Sequence, residues 1–109
     1  MKRYTVTLTI GHNVKGVKMF TTREVSEYAA EYLKLGAFTA FECVGMWNGE
    51  AETSTRLEVA HADEDEAARI RSLVPLLAQV LAQDSIMCET RPDLVQFVDA
   101  LTVEAVTQA

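Results

Sequence analysis

The chain has 109 residues, 49% of them hydrophobic and 24% charged, which is the composition of one globular domain with a single core. Sixteen acidic against ten basic residues leave a net charge of −6, which opposes nonspecific nucleic-acid binding, where clustered Lys and Arg supply the affinity. No apolar run reaches the about eighteen residues of a membrane span, and the threonines alternating through MKRYTVTLTI suit a strand rather than a signal peptide.

RYTVTLTIG alternates strictly, with Tyr4, Val6, Leu8 and Ile10 on one face and Arg3, Thr5, Thr7 and Thr9 on the other. That is a half-buried strand. GHNVKGVKM follows as a glycine-divided loop, and the basic residues Lys2, Arg3, Lys15, Lys18 and Arg23 leave room for a local anion site near it. Thr21 and Glu24 then form a capping box, with Phe20 and Val25 placed as a hydrophobic staple. Val25, Tyr28, Ala29, Tyr32 and Leu33 recur at helical spacing, and Gly36 is the expected left-handed stop.

AFTAFECVGMW and EAETSTRLEVA flank Asn48-Gly49, the strongest short hairpin signal. A second helix begins after Asp63 as N-cap, with Glu64, Asp65 and Glu66 complementing its positive end. Its buried stripe is Ile70, Leu73, Val74, Leu77 and Leu81, and Pro75 should kink it. SIMCET reads as a short strand and RPDL as a turn. In VQFVDAL the spacing of Leu94, Phe97, Val98 and Leu101 is helical, but Val and Phe favour a strand. The expectation is a final edge strand pairing back onto SIMCET, with residues 100–109 a loose tail. The order predicts a ferredoxin-like βαββαβ α+β sandwich, an antiparallel sheet with two helices on one face, in one domain spanning 1–109 with its core at about 3–99.

A two-residue turn at Asn48-Gly49 fixes the cross-strand pairs: Trp47 with Glu50, Gly45 with Glu52, Cys43 with Ser54, Phe41 with Arg56 and Thr39 with Glu58. These share one face, turned away from the helices. The opposite face carries Phe38, Ala40, Val44, Met46, Ala51, Leu57 and Val59 as expected core, with Glu42 and Thr55 as polar intrusions. Glu42 then needs a bulge to turn it outward, or a partner such as Lys15 or Lys18. Aromatics beside convergent polar groups mark the outward face as a contact surface. The competing reading is structural: Trp47 folds over Met46, Phe41 packs under the C-terminal tail, and Arg56 bridges Glu58 or Glu52.

Catalytic constellations are scarce: Glu50 and Glu52 lie two apart on one strand face, which allows paired-carboxylate chemistry but more often marks a solvated strand. Ser54 has no nucleophile elbow, His12 and His61 are isolated, and GHNVKG lacks P-loop spacing. Cys43 and Cys88 read as reduced, half-buried thiols, and the chain reads as cytoplasmic.

Phe38-Thr39, Gly45-Met46-Trp47, Glu52 with Ser54, and Gln83-Asp84-Ser85-Ile86 together resemble a family of small bacterial and phage domains of unknown function, over roughly residues 20–98. That resemblance implies the ferredoxin-like fold and no reaction. The opening YTVTLTIGHNVKG is similar to small orphan proteins of phages and mobile elements, which often inhibit host defence by blocking a protein or sequestering a nucleotide-derived signal.

The expected function is a non-enzymatic, homo-oligomeric binder of a small, nucleotide-like molecule, without a cofactor, a nucleic-acid polymer or a membrane as partner. Trp47 and Phe41 would stack on the ligand, Arg56 would contact an anion or carbonyl, and Glu50, Glu52 and Ser54 would orient it. His12, Asn13 and Lys15, in the loop from Gly11 to Lys18, would meet phosphates. A protein–protein inhibitor and a small enzyme using Glu52 or His12 are the alternatives.

Overall fold

The strand alternation and helix caps fold into β1 (Tyr4–Gly11), β2 (Asn13–Val14), β3 (Val17–Lys18), α1 (Thr22–Tyr32), β4 (Thr39–Trp47), β5 (Glu50–Ala62), α2 (Glu64–Val80) and β6 (Met87–Pro92). The computed structural model describes residues 2–101. Apart from the small β2–β3 hairpin, this is the ferredoxin-like order. The main sheet is antiparallel throughout in the order β4-β5-β1-β6.

One side of the sheet carries the core. Val6, Leu8 and Ile10 of β1 and Leu57 and Val59 of β5 pack against Val25, Ala29 and Leu33 on the first helix and Ile70, Val74 and Leu77 on the second. The Thr21–Glu24 capping box forms with both reciprocal bonds, and the Asp63 side chain accepts from the Glu66 N–H. The second helix runs continuously through Pro75, which lies on its exposed side.

The first helix stops differently from the sequence expectation. Lys34, not Gly36, takes the left-handed conformation, at φ 55°. The Leu35 N–H then bonds back to the Ala30 carbonyl at 3.2 Å, the long bond of a Schellman motif. Leu33 is the last fully buried residue before the turn, and Leu35 returns to the core's edge, so the chain turns at Lys34 whatever occupies it.

The hairpin register is the expected one, from Trp47↔Glu50 to Thr39↔Glu58. Burial along it is not. Val44 is 68% and Met46 64% exposed, and Ala51 is exposed too, so the three leave the predicted core. The reason is length: helices of 11 and 17 residues cover about 16 and 25 Å, whereas the 13 residues of β5 span about 43 Å. The hairpin end therefore overhangs the helices. Glu42 lies exposed on the same overhang, with neither a bulge nor a lysine partner among the described residues.

Two further segments differ from expectation. Lys15 and Gly16 adopt left-handed φ of 51° and 82°, so part of the predicted loop closes as the β2–β3 hairpin. Residues 93–101 form no strand, because the Asp93 carboxylate accepts from the Thr5 hydroxyl at 2.8 Å and the His61 N–H at 2.9 Å and turns the chain off the sheet edge. The tail expected beyond Leu101 lies outside the described residues.

Candidate functional site

β1 ends at Gly11, opposite Ser54, while the β4–β5 ribbon continues for several more residues. The step so formed is walled by the β2–β3 hairpin and by the connection from α2 to β6. It encloses a cleft of about 380 Å³ lined by Thr9, Gly11, Asn13, Val14, Lys15, Trp47, Glu52, Ala82, Gln83, Asp84 and Ser85. A second depression around Glu50, Asn48 and Gly16 shares Asn13, Lys15, Trp47, Glu52 and Asp84 with it.

Two glycines shape the cleft through their missing side chains. A Cβ at Gly11 would stand 2.5 Å from Glu52 Oε1, so the carboxylate occupies the space over β1 that only glycine leaves open. The Asn13 N–H donates to Glu52 Oε2 at 2.9 Å and fixes the carboxylate there. A Cβ at Gly45 would meet Trp47 Nε1 at 2.8 Å; the indole thus leans back over Gly45. Trp47 remains partly exposed, with ring surface toward the cleft.

The opposite wall is set by the second helix's end. Ala82 turns left-handed at φ 52°, and the Gln83 N–H bonds the Ala78 carbonyl at 2.8 Å. The Gln83 side-chain amide then donates to the Asn13 carbonyl at 3.0 Å and ties this wall to the β2–β3 hairpin. The Thr9 hydroxyl on the cleft floor is buried and has no partner among the described residues. Buried polar groups without a protein partner are rare, and this one faces a cleft open to water or a polar ligand.

Of the residues singled out in the sequence, Asn13, Lys15, Trp47 and Glu52 come together here, with Glu50 at the adjoining depression. Ser54 is fully buried beside them, its hydroxyl 3.5 Å from the Glu52 carbonyl. Phe41 and Arg56 share the outward face but do not line the cleft. Arg56 lies between Glu58 and Glu89, at 3.6 and 3.5 Å, so its charge is already paired.

His12 is fully buried beneath the cleft. Its ring nitrogens lie 3.1 Å from the Thr53 hydroxyl and 2.7 Å from the Thr55 hydroxyl, and Thr55 bonds on to Thr22 at the start of α1. Its carbonyl accepts from the N–H groups of Met19 and Phe20. Desolvation, with Lys18 adding to it, lowers its pKa against the opposing pull of Glu42 and Glu52. The ring is thus a neutral brace for the loop.

The sequence reading places Thr9 only on the polar face of β1 and Gly11 only at the start of the phosphate-meeting loop. It gives no role to Gln83, Asp84 and Ser85, which stand out there as part of the family resemblance.

No protein-family model and no curated protein matches this chain. Solved structures do. The fold is that of a phage SAM lyase. In its apo state that protein superposes with a TM-score of 0.74 at 20% identity, over 94% of this chain and 91% of the lyase. Its complex with S-methyl-5′-thioadenosine gives a TM-score of 0.66 at 19% identity, over the same 94% and 91%. A DUF3240 family protein from Shewanella baltica matches with a TM-score of 0.58 at 14% identity, over 92% of this chain and all of that one. At these identities the likeness is one of fold, shared with small phage and bacterial domains. Within the described residues no helix is long and apolar enough to cross a membrane.

Proposed function

We propose that this protein binds an adenosine-type small molecule of the SAM class in the cleft between Trp47, Glu52 and Gln83. The observation that carries the reading is the Glu52 carboxylate, held by the Asn13 N–H over the gap at Gly11 and lining the same cleft as the Trp47 indole. A carboxylate beside an aromatic face suits an organic cation, and SAM is a sulfonium. Trp47 offers a stacking surface for adenine.

The cleft's charges favour this ligand over a polyphosphate. Glu52 and Asp84 oppose the single cation Lys15, and the Asn13 N–H is already committed to Glu52. A zwitterionic amino-acid group would use both signs, its ammonium toward Asp84 and its carboxylate toward Lys15. A cleft of about 380 Å³ lies within the usual range for small-molecule sites. The fold shared with a protein solved in complex with S-methyl-5′-thioadenosine supports the adenosine class.

Calorimetric titration with SAM, S-methyl-5′-thioadenosine and ATP tests the reading. SAM and the thioether should bind and ATP should not. Glu52→Gln keeps an oxygen acceptor but removes the charge, so it should weaken SAM about tenfold, or 1.4 kcal/mol, while sparing the neutral thioether. Binding of ATP alone, or equal losses for both ligands, would overturn it.

A second reading has its own support: this chain also cleaves SAM, as the phage lyase of the same fold is named for doing. Incubation with SAM and chromatography for released S-methyl-5′-thioadenosine separates the two. A binder without turnover would sequester its ligand, the anti-defence role that the phage resemblance suggests.

A further inference from the structure

Among the described residues, two apolar surfaces have no partner and cannot meet within one molecule. One is the C-terminal segment 94–101, where Leu94 is 101%, Phe97 76% and Val98 82% exposed. Its start is set, not loose: the Asp93 carboxylate accepts from Thr5, His61 and Val95, and the Phe97 ring stands edge-on to His61. The other is β4, an edge strand whose outer side pairs with nothing among the described residues. It exposes Phe41 and Trp47 on one face and Val44 and Met46 on the other.

Native sheets rarely leave a nine-residue edge with that much apolar surface uncovered. The segment has what such an edge takes. It contains no proline, its Val and Phe favour an extended strand, and apolar residues point both ways along it: Leu94 and Val98 to one side, Val95, Phe97 and Leu101 to the other.

Topology rules out self-pairing. β4 and β6 are opposite edges, about 14 Å apart at the usual strand spacing. The segment also leaves β6 beside Tyr4, at the end of the sheet away from Val44 and Met46. Residues 93–101 span at most about 30 Å, too little both to cross the sheet and to run along β4. The radius of gyration, 17.0 Å against the roughly 13 Å of a compact chain this long, fits a molecule with a projecting hairpin and arm.

We propose that the 94–101 segment of one molecule adds as a fifth strand to the β4 edge of a second copy, giving a head-to-tail homo-oligomer. Edge and arm are different patches on one chain, so each molecule donates one and accepts the other, the heterologous arrangement that gives a ring where the rotation closes. Covering the exposed area of the large apolar side chains on the two patches, which are between 44% and 101% exposed, brings the contact to the order of 1,000 Å², enough for a specific interface. The proposal does not rest on the ligand reading.

Light scattering after size exclusion of the full chain tests it, with two double variants at exposed positions so that the fold is retained. Phe97→Asp with Val98→Asp removes the arm, and Val44→Asp with Met46→Asp removes the edge. Wild type should be oligomeric and each variant monomeric with an unchanged circular-dichroism melt. Mixed in equal amounts, the two variants should form a one-to-one dimer, because one intact arm then meets one intact edge. A wild type monomeric at about 100 μM, an oligomer that survives either variant, or a mixture that stays monomeric would each overturn the proposal.

Discussion

Gly11 and Glu52 show how a site can depend on an absent side chain. Ala at Gly11 would put its Cβ 2.5 Å from Glu52 Oε1, but that oxygen ends a flexible side chain and can swing away. Gly11→Ala should therefore leave stability within about 1 kcal/mol of wild type while costing about tenfold in SAM affinity. A thermal melt with a calorimetric titration checks both halves, and a lost melt with retained affinity would contradict the assignment. Sequence alternation places Trp47, Glu52 and Ser54 on one face but cannot say that Gly11 makes room for one of them. Such close approaches depend on which strands become neighbours, and β1 pairs with β5 across 42 or more intervening residues. Arg56 is half of the same lesson: its pairing with Glu58, two residues on in β5, is legible as the structural alternative, whereas Glu89 reaches it only because β6 joins the sheet.

At the scale of elements, the capping box, the Asp63 cap and the Asn48-Gly49 turn were legible because each is a local contract between residues a few positions apart. The end of the first helix was not, because the position of Leu33 in the core decides it. That makes Lys34 a strained residue at φ 55° on an exposed turn. Lys34→Gly should stabilise the fold by about 0.5–1 kcal/mol, read as a raised denaturation midpoint, since glycine adopts that conformation without a Cβ penalty. Gly36→Ala should do little, because Gly36 has no left-handed backbone to protect. A larger loss at Gly36 than gain at Lys34 would reverse this account. The overhanging hairpin was illegible for a different reason: alternation gives the face of a residue, and helix length decides whether anything covers it.

For the whole molecule, the buried His12 brace links the sheet, the β2–β3 hairpin and the start of the first helix. Its pKa is lowered in the fold by desolvation first and Lys18 second. The unfolded chain, with an ordinary histidine near pH 6.5, therefore takes up a proton that the folded chain refuses. Its stabilising contribution is complete above about pH 6.5 and is lost as pH falls below it toward the lowered folded value. The melting temperature should drop between about pH 7 and 5, and His12→Gln should flatten that slope even if it lowers the plateau. An unchanged slope would move the acid sensitivity elsewhere.

The central claim is that the cleft beside Glu52 holds an adenosine-type ligand against the one tryptophan of the chain. Trp47 is thus a reporter at the site itself, and titrating its fluorescence with S-methyl-5′-thioadenosine tests the claim most directly. A saturable change in emission that fits one site per chain is the predicted result. Emission that stays constant up to about 1 mM ligand would contradict it.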